Sequence, residues 1–195
     1  MPAAKRRELR WRRIDVPGRE VARIETTAAG TLLAGRLEFD EEGIRTRLAY
    51  RVTVDEAWRT RSADVEGRVG DRPVRLALAA DGEGRWRRDG APVPELDGAV
   101  DIDLSTTPST NTLPIRRLAL AVGESATVLA AWFRVPELGL EPLEQTYTRE
   151  ADELYRFDAL VDGQHFRAHL TTDAEGWVRS YEGLWELDPP DGDAA

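Results

Sequence analysis

Ile44-Arg-Thr-Arg-Leu-Ala-Tyr-Arg-Val-Thr-Val54 alternates with a period of two. Ile44, Thr46, Leu48, Tyr50, Val52 and Val54 fall on one face, and Arg45, Arg47, Arg51 and Thr53 on the other. Successive strand residues point to opposite sides, so the run reads as a strand buried on one face. The same alternation returns in Val74, Leu76 and Leu78, in Tyr155, Phe157, Ala159 and Val161, and in Phe166, Ala168 and Leu170. Hairpin signals separate these runs: Asp40-Glu-Glu-Gly43, Gly70-Asp71, Asp81-Gly-Glu-Gly84, Asp89-Gly90, Asp162-Gly163 and Asp173-Ala-Glu-Gly176. Little chain remains for helices; a short one is expected near Thr148 to Leu154 or inside the hydroxyl-rich run described below. The predicted fold is all-β, a large antiparallel sheet that is strongly curved or barrel-like. Many strands in sequential hairpins must close or curl to protect their edges. Beyond about eight strands the interior is too wide for side chains alone, so a concave interior with a cavity or an internal plug is expected. Arg75 to Gly84 and Arg167 to Gly176 echo one another as strand then turn, and Tyr50-Arg-Val and Tyr155-Arg-Phe precede them at unequal offsets. Either an internal duplication or convergent hairpin chemistry accounts for that.

The chain has 195 residues, 41% of them hydrophobic, which suits a single β domain over residues 1–187. Residues 1–13 carry six basic residues and one acid and read as a partly frayed basic segment. Residues 188–195, rich in Asp and Pro, read as a disordered acidic tail. Cysteine is absent, so disulfides, thiolate chemistry and Cys-type zinc sites are excluded. No apolar region follows the basic N-terminus and no segment reaches the ~18 apolar residues of a membrane span, so a cytoplasmic protein is expected. The net charge of −9 argues against nucleic acid as a partner. The basic N-terminus leaves room only for weak contact with an anionic membrane surface.

Asp101-Ile-Asp-Leu-Ser-Thr-Thr-Pro-Ser-Thr-Asn-Thr-Leu-Pro-Ile-Arg-Arg-Leu118 fits neither a plain strand nor a plain loop. Six of the eight residues from Ser105 to Thr112 carry a hydroxyl. This run resembles the putative glycolipid-binding protein family of bacteria. So do Tyr50-Arg-Val-Thr-Val-Asp-Glu-Ala-Trp-Arg-Thr-Arg61, Gly84-Arg-Trp86 with Asp89-Gly90, Gln145-Thr-Tyr-Thr148 and Gly183-Leu-Trp185. The resemblance covers roughly residues 20–187. It implies a large antiparallel β structure with a concave interior, similar to carriers of lipids and lipoproteins, without established catalytic residues.

Each candidate residue has a functional and a structural reading. Asp101 and Asp103, two apart on a strand, point the same way about 6.6 Å apart; they serve a glycosidase or cation site, or form salt bridges to Arg116 or Arg117. The hydroxyls around Thr110 and the Asn111 amide meet a sugar, with Arg116 forked onto an anionic head group, or else they stitch their own backbone. Strand alternation would send one of Arg116 and Arg117 inward and the other outward. Trp58, after a strand and in a turn, is placed to cap a cavity mouth, whereas most of the six tryptophans belong to the core. His165 and His169 stand about 13 Å apart if their segment is a strand, too far to share an ion. No metal, cofactor or catalytic residue is assigned, and no nucleophile, phosphate-loop or dinucleotide motif occurs. The reading is therefore a monomeric, non-enzymatic protein binding a glycolipid-like amphiphile through Trp58, Asp101, Asp103, Thr110, Asn111, Arg116 and Arg117. Its rivals are a hydrolase acting on a polar lipid or sugar through Asp55, Asp101 or Asp103, and a packed β interaction domain without ligand.

Overall fold

A computed structural model describes residues 5–189. The strands are β1 (Lys5–Arg13), β2 (Gly18–Thr27), β3 (Gly30–Glu41), β4 (Ile44–Val54), β5 (Thr60–Val69), β6 (Arg72–Ala80), β7 (Trp86–Arg88), β8 (Ala91–Pro92), β9 (Asp101–Leu104), β10 (Ser125–Phe133), β11 (Leu140–Ala151), β12 (Leu154–Val161), β13 (Gln164–Thr172), β14 (Val178–Tyr181) and β15 (Trp185–Leu187). All lie in one sheet, in the order β8 down to β1, then β15 down to β9. Two antiparallel meanders are thus joined where β1 pairs with β15, Trp11 opposite Leu187. Among the described residues only β9 and β10 run parallel.

The predicted curvature is present, and no ladder closes the sheet. Irregular register between Thr53 and Val54, between Arg149 and Ala151 and between Thr171 and Thr172 bends long twisted strands. The β9 end rolls back against the other meander. Thr60 donates its amide to the Val100 carbonyl at 3.3 Å and accepts the Ile102 amide on its hydroxyl at 3.1 Å. β9 is consequently buried except at Asp103, which is partly exposed, and β10 is buried or half-buried from Val128 to Phe133. Ile102, Leu104, Ala131 and Phe133 pack with Leu33, Leu48, Val65 and Leu76 in the larger core, while Val128 joins Leu143, Tyr147, Phe157 and Leu170 in a second one.

Two sequence-based expectations change, and the echo between the two meanders is located. Of the basic segment expected to fray, residues 1–4 lie outside the described residues, and Lys5–Arg13 is a strand: Leu9 and Trp11 alternate inward, and Trp11 Nε1 donates to the Val178 carbonyl at 3.2 Å. Thr148 to Leu154 is not helical, because Thr148 and Arg149 still pair with Arg156 and Tyr155, and the chain then turns directly into β12. The echo between Arg75–Gly84 and Arg167–Gly176 is a shared turn. Asp81 and Asp173 each accept the backbone amides two and four residues on, and Asp55 does the same in a third turn. The tyrosines are not equivalent, since Tyr50 sits two strands before β6 and Tyr155 on the strand next to β13. Of the expected acidic tail, residues 190–195 lie outside the described residues, and Asp188 donates its amide to the Arg10 carbonyl at 2.7 Å.

Both ends of the sheet are blunted, β8 by its two-residue length and Pro92, and β9 by its contact with Thr60. Sedimentation velocity at low micromolar concentration is expected to give a monomer. A dimer that grows with concentration would mean that one of these edges is open to pairing.

Candidate functional site

Parallel neighbours cannot be joined by a hairpin. The chain leaves β9 at Leu104 and re-enters the sheet at Ser125, and the hydroxyl-rich run is that crossover. Thr107 is extended and caps a 3-10 turn over Pro108–Asn111; its Oγ1 accepts the Ser109 amide at 3.1 Å, and Pro108 fills the first position, where an N–H would have no partner. The turn continues into α1 (Thr112–Leu118), which ends on a left-handed Ala119. Residues 106–115 are all buried. Buried backbone without sheet partners must find others. Thr110 Oγ1 takes the Leu104 amide and Thr112 Oγ1 the Val178 amide, both at 3.3 Å. The stitching role is therefore realised for Thr110, and the short helix falls within the run.

Glu20 on β2 shares the inward parity of Ala22 and Ile24. Its Oε1 accepts from Tyr50 Oη at 2.6 Å and from Thr107 Oγ1 at 2.7 Å, and Ser109 Oγ lies 2.6 Å from Tyr50 Oη. Tyr50 reaches across because its partner in β3 is Gly35, where a Cβ would stand 2.3 Å from the ring. Glu20 Oε2 is buried without a hydrogen-bond partner. Removal from water pushes the Glu20 carboxyl up to about 7, the three hydroxyls offsetting only part of that rise.

A second chain of polar groups starts two residues after Ser109. Asn111 Nδ2 donates to Tyr147 Oη at 3.0 Å, Tyr147 donates to Gln145 Oε1 at 3.2 Å, and Gln145 Nε2 donates to Asp103 Oδ2. Burial, with a smaller push from the Asp101 charge and an opposing pull from Gln145, raises the Asp103 carboxyl to about 6. Asp103 is nevertheless only partly buried. Asp103 lies opposite Trp132, and Gln145 lies opposite Ala159, which lies opposite Phe166. Tyr147, Phe157, Phe166 and Tyr181 pack edge-on or tilted with ring centres 5.3 to 6.3 Å apart. Phe166 is 37% exposed, and Trp132, Val161 and Tyr181 are partly exposed. The inner face of β9–β14 thus carries an aromatic cluster and, beside Trp132, a carboxyl.

The two arginines diverge, for a different reason than strand alternation. They sit in the last turn of α1, where consecutive side chains point about 100° apart. Arg117 forks onto Asp101, Nε to Oδ1 at 3.1 Å and Nη2 to Oδ2 at 2.5 Å, with the Asp101 side chain 1% exposed. Arg116 lies over Trp58 at 4.2 Å and Trp177 at 4.9 Å, and its Nη1 donates to the Glu175 carbonyl. Trp58 is in the predicted turn, held by the Asp55 carboxylate, but its ring is engaged by Arg116 and Trp177.

Of the residues singled out in the sequence, the structure unites Asp101 with Arg117, Trp58 with Arg116, and Asp103 with Asn111 through Gln145 and Tyr147. Sequence reasoning missed Glu20, Phe166 and Tyr181. A carboxylate on the apolar parity of β2 was the available signal for Glu20. The candidate hydrolytic acids do not face one another across a cleft: Asp101 is clasped by Arg117, and Asp55 by Arg59 and two turn amides. His169 contacts Glu182 and Glu150 on the exposed side of β13, and no group of three His, Asp or Glu among the described residues is arranged to hold a metal. Depressions of about 380 and 330 Å³ lie beside Lys5 to Arg7 with Asp173 to Glu175, and beside Pro17 to Arg19 with Glu38 to Asp40 and Arg45. Both are lined largely by charged side chains, unlike an apolar lipid cavity.

Arg117→Ala is expected to cost on the order of 3 kcal/mol in urea melts, because it leaves a buried carboxylate unpaired. Arg116→Ala, which loses its stacking on the indoles and one exposed hydrogen bond to the Glu175 carbonyl, is expected to cost about 1 kcal/mol; equal costs would contradict the division of roles. The raised Glu20 pKa gives a sign for pH dependence. The unfolded carboxyl ionises near 4.5 and the folded one near 7, so the contribution is whole below pH 4.5 and is lost as pH rises to 7. Between pH 5 and 8 the wild type should lose about 2 to 3 kcal/mol that Glu20→Gln does not.

The family described as "Putative glycolipid-binding" matches residues 8–186. The crystal structure of a DUF1089 family protein from Pseudomonas aeruginosa is similar, at 34% identity and a TM-score of 0.78, over 87% of this chain and 91% of that one. No curated protein matches. Among the described residues no helix is long and apolar enough to cross a membrane. With residues 8–186 matched by the family model, and a similar fold in a structure 34% identical to it, the chain belongs to the family described as "Putative glycolipid-binding".

Proposed function

We propose that the protein is a non-catalytic binding protein for an amphiphile with an uncharged, hydroxyl-rich head, a glycolipid-like molecule, held on the inner face of β9–β14. One observation carries this reading: Asp103, a partly exposed residue hydrogen-bonded through Oδ2 to Gln145, stands in register with Trp132 on the face that also carries the partly exposed Phe166 and Tyr181. A few polar groups within an aromatic lining orient a ligand while the rings carry its apolar part. Charge narrows the head group. Arg117 is spent on Asp101, Arg116 on two indoles, and Arg134, 4.8 Å over the Trp132 ring, on Asp162 and Glu141, which leaves an anionic head without an unpaired cation and favours hydroxyls that donate to Asp103. Asp103, with Asn111 supporting it through Tyr147, remains in the proposed site; Trp58, Asp101, Thr110, Arg116 and Arg117 act as its frame. A monomeric cytoplasmic carrier is the setting this reading implies.

The test is fluorescence titration with dodecyl maltoside below its critical micelle concentration, against dodecyl phosphate. Saturable binding of the maltoside is expected, at least tenfold tighter than the phosphate. Asp103→Asn should weaken it about tenfold, the loss of roughly one charge-assisted hydrogen bond, and Arg116→Ala should leave it unchanged. Absence of saturable binding, or equal binding of both detergents, would overturn the proposal.

A further inference from the structure

Glu20 is not used by the proposed site, and its surroundings are unusual for a carboxyl. Two hydroxyls converge on Oε1, while Oε2 is sealed from water with nothing to bond. A carboxyl proton on Oε2 there lacks an acceptor, and an ionised carboxyl lacks a counter-charge; burial penalises the charge far more. The groups facing it are few. β1 presents Trp11 and β3 presents Leu37 in register with Glu20, β4 contributes the Tyr50 hydroxyl, and the crossover contributes Thr107 and Ser109. No charged side chain among the described residues bonds to it. Tyr50 stays neutral, because burial and the nearby Glu20 raise its pKa well above 10. Glu20 is therefore the one group of this cluster that ionises near neutrality.

We propose that Glu20 is a proton-operated latch on the crossover: neutral, it holds Thr107 and Ser109 in the interior, and ionised, it releases the segment so that water reaches the carboxylate. Of its direct partners, Thr107 belongs to a segment outside the sheet, whereas Tyr50 is fixed in β4 by ladders on both sides. The crossover is therefore the element that gives way. Release has a consequence two residues further on, where Asn111 supports the Tyr147, Gln145 and Asp103 chain. As regulation of the amphiphile site the inference rests on the reading above, but the opening is measured without any ligand.

Hydrogen exchange on the full chain at pH 6 and 8, corrected for intrinsic rates, reads the latch directly. For a group ionising at about 4.5 when open and about 7 when closed, the open fraction of residues 106–115 should rise on the order of tenfold from pH 6 to pH 8. Amides of Leu33 and Val52 in the β3–β4 core serve as the control. They should not follow, whereas a merely structural Glu20 would move both sets together. Glu20→Gln should abolish the pH dependence in residues 106–115. Tyr50→Phe, which removes a donor that favours the ionised form, should shift its midpoint to higher pH. Flat exchange of the crossover in the wild type, an equal rise in the core amides, or the same rise in Glu20→Gln would each overturn the latch. If the exchange behaves as expected and dodecyl maltoside does not bind, the latch stands and the proposed ligand fails.

Discussion

The parallel pairing of β9 with β10 is the constraint on which the rest of the structure depends. Every other strand reaches its sequence neighbour through an antiparallel turn, except across the gap between β8 and β9. The crossover that the parallel pair demands passes through the interior of the rolled sheet, so a stretch of backbone lies where a barrel of this strand number would otherwise hold a cavity. Backbone inside a core is tolerable only with its hydrogen bonds made. The density of Ser, Thr and Asn between residues 105 and 112 is the chemical answer, since each side chain can serve an amide, a carbonyl or a distant acid.

The crossover also explains why acids are found inside this protein. Asp101, Asp103 and Glu20 each meet it or its helix, and each is compensated differently: Asp101 by the forked Arg117, Asp103 by a neutral amide chain, Glu20 by hydroxyls alone. Compensation falls in that order, and the ionised form becomes correspondingly harder to keep. Only the ion pair acts as a fixed clasp. The other two are poised within reach of physiological pH, which ties the interior packing to proton concentration.

The same geometry divides the interior into a closed core and a partly open one. The larger core, between the β1–β6 meander and the outer faces of β9 and β10, is closed by Leu96, Ile102, Leu104 and Leu113. The smaller one, on the inner face of β9–β14, keeps Trp132, Val161 and Tyr181 only partly covered and Phe166 exposed. A ligand held as proposed, on the partly open face of one meander, would leave the other free to be a rigid scaffold. The indole pair around Arg116 joins the β4–β5 turn to the start of β14 and so fixes the scaffold against that face.

The sequence by itself determined what local patterning can encode. Period-two alternation specified the strands, Asp and Gly specified the turns at Asp81 and Asp173, and the charges of Asp101 and the paired arginines were enough to anticipate a clasp. It did not reveal that the arginines are helical, because a seven-residue helix beginning Thr-Leu-Pro has too few turns to show a period. Nor did it reveal the frame around Trp58, since Trp177 is brought to it by the rolling of the whole sheet. Only the tertiary structure decided that Glu20 meets Thr107, 87 residues away. One inward carboxylate on a strand looks the same in sequence whether it faces water, a cation or a hydroxyl. Which of these it meets depends on where a distant segment crosses the interior, and no local pattern carries that information.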